Sequence, residues 1–110
     1  MNPVAKNQFG LNPRDLATIE RIFKQYPEII QVVIFGSRAK GNYKTGSDID
    51  LAIINPQVSQ ETRLKLADDF EESDLPYFVD VLYLPDLKEA ELIAHIERVG
   101  LVFYEREKNE

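Results

Sequence analysis

A β-branched apolar run, Ile29-Ile30-Gln31-Val32-Val33-Ile34-Phe35, stops abruptly at Gly36-Ser37, and a second strand-like run follows at Ser47-Asp48-Ile49-Asp50-Leu51. The first run has strand length and composition. Its terminal glycine lets the backbone approach a ligand closely. If Ser37 to Lys40 form a short helical turn, the first amides have no partner within the helix and present the positive end of the dipole, an environment suited to phosphate. The Ser37 hydroxyl adds a further donor.

The second run alternates with a period of two. Asp48 and Asp50 therefore project from one face of a strand, while Ile49, Leu51 and Ile53 face the other way into a core. Two carboxylates about 5 Å apart repel by roughly 3 kcal/mol at an effective dielectric near 20, so a fold that holds them together requires a compensating cation. A divalent ion is the simplest one. Asp80 is the candidate third acid, a lone charge in the otherwise apolar segment Pro76-Tyr77-Phe78-Val79-Asp80-Val81-Leu82-Tyr83-Leu84. Burying it unpaired would be costly, which places it at a position open to the site. Three hard oxygen ligands together with substrate phosphates make Mg²⁺ the expected ion. Two such ions would orient an attacking oxygen and stabilise a leaving pyrophosphate, with Asp80 able to accept the proton of the incoming hydroxyl.

Other phosphate motifs fail on spacing. A dinucleotide-binding turn opens a helix inside a unit of about 30 residues, whereas six residues separate Gly41 from Asp48. A P-loop ends in Gly-Lys-Ser or Gly-Lys-Thr, and Gly41 is followed by Asn42-Tyr43.

Gly36-Ser37 with Gly41, Ser47-Asp48-x-Asp50 and the downstream Asp80 together resemble the signature of the polymerase β-like nucleotidyltransferases. The resemblance is closest to the minimal nucleotidyltransferases, small proteins paired with helical HEPN-domain partners in toxin–antitoxin operons. It implies an α/β fold of the α+β kind, a mixed β-sheet of about four strands backed by helices. The expected organisation is one domain over residues 1–110 with its core at about 13–106. Carried over, Gly36 and Ser37 bind nucleotide phosphates, and Asp48, Asp50 and Asp80 form the catalytic and Mg²⁺-binding set. Arg38, Lys40 and Ser47 are further candidate phosphate contacts. The implied activity is transfer of a nucleoside monophosphate, AMP from ATP, to a hydroxyl with release of pyrophosphate. In the implied biological role an antitoxin adenylylates and neutralises a HEPN ribonuclease. Two rivals stay open: a small-molecule transferase of the aminoglycoside type, and a non-catalytic antitoxin that works by binding. A chain of this length leaves no room for the added helical region of larger relatives, so a hetero- or homo-oligomeric partner is expected to supply it.

Composition narrows the partners. With 13 Lys and Arg against 19 Asp and Glu the net charge is −6, which disfavours extended nucleic-acid binding. Positive charge is local, with Arg38, Lys40 and Lys44 in one segment. Cysteine is absent and His95 is the single histidine, excluding disulfides and thiolate or histidine-rich metal sites. His95 is expected on a helix surface. No apolar stretch approaches the about 20 residues that span a bilayer and no signal-peptide core is present, making the cytoplasm the expected compartment.

The predicted order is helix, strand, turn, strand, helix, strand, helix, strand. Asn12 is the candidate cap of a helix begun by Pro13, with Leu16, Ile19, Ile22 and Phe23 as its stripe and Tyr26-Pro27 as its end. The second helix is expected at about Gln60 to Ser73, burying Leu64, Ala67 and Phe70. Its acids Asp68, Asp69, Glu71 and Glu72 read as a solvated face. The third is expected from Pro85-Asp86 to Gly100, burying Leu87, Ala90, Ile93, Ala94 and Ile96, before a last strand at Leu101 to Tyr104 and a frayed tail from Glu105. Tyr43 is a candidate base-stacking residue or simply an exposed tyrosine.

Overall fold

The computed structural model describes residues 9–106. Helix α1 (Pro13–Lys24) begins as expected: the Asn12 side chain accepts from the Asp15 amide at 2.8 Å, and Pro13 occupies the first turn, where no amide is needed. Strand β1 (Gln31–Phe35) leads directly into the one-turn helix α2 (Gly36–Lys40), then β2 (Ile49–Ile53), α3 (Gln60–Glu71), β3 (Val79–Tyr83), α4 (Ala90–Val99) and β4 (Leu101–Glu105).

The four strands form one mixed sheet in the order β3-β2-β1-β4. β1 runs antiparallel to β2 and β4, whereas β2 and β3 are parallel. The register aligns Phe35 with Asp50, and Asp50 with Asp80, so the end of β1 and both acids lie in one row across three strands. A short α2 suffices between antiparallel β1 and β2; the parallel β2 and β3 need the longer crossover that α3 provides.

One sheet face is sealed by α1 and α3. Ile34, Ile49, Leu51 and Ile53 pack there with Ile19 and Phe23, all fully buried. Phe23 meets the Phe70 ring edge-on at 5.5 Å and the Tyr104 ring at 5.3 Å. The opposite face buries Val33, Phe35 and Ala52 against Ile96 of α4.

Several elements depart from the expectations. α3 buries Leu66 and Phe70, whereas Leu64 and Ala67 are exposed. Leu64-Ala67-Phe70 and Leu66-Phe70 are both helical spacings, and it is Leu66 that enters the core cluster beside Phe70. Asp68, Glu71 and Glu72 are solvated, but Asp69 accepts a hydrogen bond from Tyr26 and ties α3 to α1. Burial and this carboxylate push the Tyr26 phenol up to about 12.

Residues Leu84–Asp86 form a 3-10 turn instead of opening the third helix, which begins at Ala90. Ile96 is its one fully buried residue; Ala90 and Ala94 are exposed, Leu87 and Ile93 are half-buried, and His95 is half-buried rather than a surface residue. Glu105 belongs to β4 and Arg106 is held by the Ile30 and Lys24 carbonyls, so the chain is ordered to there; residues 107–110 lie outside the described part. Among the described residues no helix is long and apolar enough to cross a membrane.

Candidate active site

The site grows from the end of β1. Gly36 has φ +76°, a left-handed backbone that favours glycine, and a Cβ placed there would collide with Oδ2 of Asp50. This glycine is therefore required as much by the approach of the Asp50 carboxylate as by any ligand. Ser37 follows in the first turn of α2, half-buried, beside amides that lack acceptors within the helix.

Across the register, Asp50 and Asp80 are partnered residues on neighbouring strands, both half-buried. Asp48 is exposed and stands one residue before β2. The three acids share an electrostatic environment. The Asp50 carboxyl is pushed above the ordinary aspartate range, first by its partial burial and then by the charges of Asp80 and Asp48. Asp50, which lies between the loop acid and the edge-strand acid, carries the strain of the group.

An acid triad of this kind has the oxygen chemistry of a Mg²⁺ site. Among the described residues, however, no three acidic or imidazole groups are gathered closely enough to enclose a metal ion. The two observations agree for an ion that keeps waters and takes part of its coordination from substrate phosphates, which is the usual habit of Mg²⁺.

The expected phosphate contacts separate into two groups. Lys40 is exposed, at the end of α2, and Lys44 is exposed in the following loop. Ser47 is half-buried, and its hydroxyl accepts from the Lys44 amide at 2.8 Å, closing the loop that delivers Asp48.

Arg38, expected among the phosphate contacts, lies inside the fold. It is 2 % exposed, and its guanidinium donates to the Ser47 carbonyl through Nε at 3.1 Å and Nη2 at 2.9 Å, and to the Phe9 carbonyl through Nη1 at 2.7 Å. Tyr43 is half-buried rather than exposed, and its ring lies against Arg38 at 5.2 Å. Tyr77, not singled out from the sequence, covers the guanidinium at 4.7 Å. Only its place three residues before Asp80 could have drawn attention to it.

Two clefts lie mostly elsewhere. One of about 780 Å³ separates α1 from the end of α3 and contains none of the expected site residues. A second, of about 640 Å³, lies between α3 and β3 and touches Asp80 alone of the set.

A glycine turn at a strand end, set beside acids on the two adjoining strands of a mixed sheet, defines a nucleotidyl-transfer domain. The chain belongs to the polymerase β nucleotidyltransferase family, described as "Polymerase beta, Nucleotidyltransferase", whose profile matches residues 17–109. Members of this family use a nucleoside triphosphate and a divalent metal. A Haemophilus influenzae protein named "Probable protein adenylyltransferase MntA" is 37% identical over 102 residues, covering 92% of this chain and 89% of its own length. A solved toxin–antitoxin structure containing AMP-PNP superposes with a TM-score of 0.66 at 22% identity, over 86% of this chain and 77% of the other. A second structure, a tri-AMPylated Shewanella oneidensis HEPN toxin in complex with its MNT antitoxin, gives 0.61 at 19% identity, over 87% and 74%. The structural matches establish a common fold.

Proposed function

We propose that this chain is a protein adenylyltransferase that moves AMP from ATP onto a hydroxyl of a HEPN-type toxin and so acts as its antitoxin. The carrying observation is the row Phe35, Asp50 and Asp80, with Gly36 packed against the Asp50 carboxylate and that carboxyl raised by burial and by the two neighbouring acids. A free-standing protein has little reason to hold three like charges together; a cationic cofactor gives it one. The name of the 37% identical relative supports the acceptor class, and the HEPN complexes among the structural neighbours support the partner.

In this reading Ser37 and the first amides of α2 bind the triphosphate, with Lys40 reaching it from the exposed end of the turn. Asp48, Asp50 and Asp80 hold Mg²⁺, two ions being the expected number. When bound, the metal offsets the charge of the triphosphate and of the transition state. The acceptor oxygen attacks the α-phosphorus, the bond to the β-phosphate breaks, and pyrophosphate leaves. Asp80, half-buried on edge strand β3, takes the proton of the attacking hydroxyl on a carboxylate oxygen. The half-covered sheet face around these acids offers the acceptor protein room to approach.

The test is the intact mass of the HEPN partner co-purified with this chain, before and after ATP and Mg²⁺. One or more added adenylyl units, absent with the Asp48→Ala/Asp50→Ala double variant, is the expected result. An unchanged mass in a complex that the double variant still neutralises would replace the enzyme with a binding antitoxin.

A further inference from the structure

Arg38 is a nearly fully buried cation for which no carboxylate partner is found among the described residues. Burying a charge in this way is costly unless it is hydrogen-bonded, and structures keep such groups where they organise something. What Arg38 touches shows what is organised. Its backbone belongs to α2, two residues after Gly36. Its guanidinium grips the Ser47 carbonyl with two N–H groups, and that carbonyl is in the peptide bond to Asp48. Its flat face lies 4.7 Å from the Tyr77 ring, and the next residue, Phe78, accepts the Ile49 amide at 2.9 Å, which joins the start of β2 to the segment leading to Asp80. The other contacts are the Tyr43 ring at 5.2 Å and the Phe9 carbonyl.

We infer that Arg38 is a positioning residue that locks the glycine turn, the Asp48 loop and the Asp80 strand into one arrangement, and that it never touches phosphate. This rests on the nucleotidyl-transfer reading above. Asp48 is the acid that needs such help. It lies outside the ladder of β2, so no strand pairing sets its position, and the loop before it is largely exposed, at Gly41, Asn42, Lys44, Thr45 and Gly46. Arginine suits the task because its planar fork can bind one carbonyl with two N–H groups while the delocalised cation lies against the rings of Tyr43 and Tyr77. Lysine keeps the charge but has neither the fork nor the flat faces. A phosphate contact and a positioning residue therefore respond differently to Arg38→Lys.

The experiment compares wild type, Arg38→Lys, Tyr77→Leu and Lys40→Gln in two assays. One is adenylyl transfer, resolved into kcat and KM for ATP; the other is Mn²⁺ titration followed by electron paramagnetic resonance, with AMP-PNP present and no turnover. For Arg38→Lys the expectation is a fall in kcat of about 10- to 100-fold and a Mn²⁺ affinity weakened by about tenfold, with KM for ATP within about twofold of wild type. Tyr77→Leu should give the same signature at smaller size, and it decides the matter if Arg38→Lys does not fold. Lys40→Gln should instead raise KM for ATP and leave Mn²⁺ affinity unchanged. The inference is overturned if Arg38→Lys raises KM with kcat intact, or if folded Arg38→Lys and Tyr77→Leu both bind Mn²⁺ like wild type. A wild-type chain that binds Mn²⁺ but transfers nothing would sink the proposed activity, while the titration would still decide the role of Arg38.

Discussion

The two faces of the sheet are made from the same short strands and serve opposite ends. On the face covered by α1 and α3, Val32, Ile34, Ile49, Leu51 and Ile53 are sealed from water. On the other, Val33, Phe35 and Ala52 pack with Ile96 of α4, while Asp50 and Asp80 are only half-buried. Alternation along β2 places a residue of each kind at every step, so stability and chemistry are separated by parity rather than by distance. Neighbours in sequence should then behave as though they belonged to different proteins.

The sharpest contrast is between Asp50 and Leu51. The Asp48→Ala/Asp50→Ala double variant should lose transfer by roughly 10³-fold or more while keeping its melting temperature or raising it, because repulsion is relieved and no core is emptied. Leu51→Ala should cost about 3 kcal/mol in a denaturant titration. If the double variant unfolds, or Leu51→Ala is neutral, the separation of the faces is wrong.

Gly36→Ala joins the two faces' effects at a single atom. The left-handed backbone should cost about 1–2 kcal/mol. The added methyl can be housed only if Asp50 swings away, so transfer should fall by about 100-fold. A variant that is destabilised yet fully active would show that the position of Asp50 is not critical.

A finer probe is pH. Because the folded state raises the Asp50 carboxyl, the folded state binds its proton more tightly than the unfolded chain does. Below the ordinary aspartate range both states are protonated and the group contributes nothing. As pH rises from there through the raised folded value, stability is lost, and above it the whole penalty is present. In metal-free protein, Asp50→Asn should remove this downward slope, as read from denaturant midpoints across the acidic range; an unchanged slope would place the effect on other groups.

The smallest effect belongs to the sealed side. Tyr26→Phe deletes the hydrogen bond to Asp69 that ties α1 to α3, and should cost about 1 kcal/mol without altering transfer. A loss of activity would mean that the helical layer communicates with the site.

Much of this arrangement was legible in the chain because it is local. Asn12-Pro13 carries its own capping chemistry, Gln31 to Phe35 its own strand propensity, and Ile49 to Ile53 its own alternation, although Asp48, expected on the same strand face as Asp50, falls one residue outside β2. The α3 stripe was not legible, since Leu64 and Leu66 have equal claims until Leu66 enters the core cluster beside Phe70. The start of α4 was hidden for a similar reason: Leu84–Asp86 closes as a separate turn, and Lys88 and Glu89 intervene before Ala90. Arg38 misled most. In the sequence it is one of three cations beside a phosphate turn, and only the folded chain brings Tyr77, Ser47 and Phe9 around it.

What the sequence determined by itself was the set of candidate groups, a glycine turn and three acids, since side-chain type and strand period are properties of neighbouring residues. What the tertiary structure decided was the partnership of those groups. The alignment of Asp50 with Asp80 and the burial of Arg38 depend on contacts between segments far apart in the chain, which no local pattern encodes.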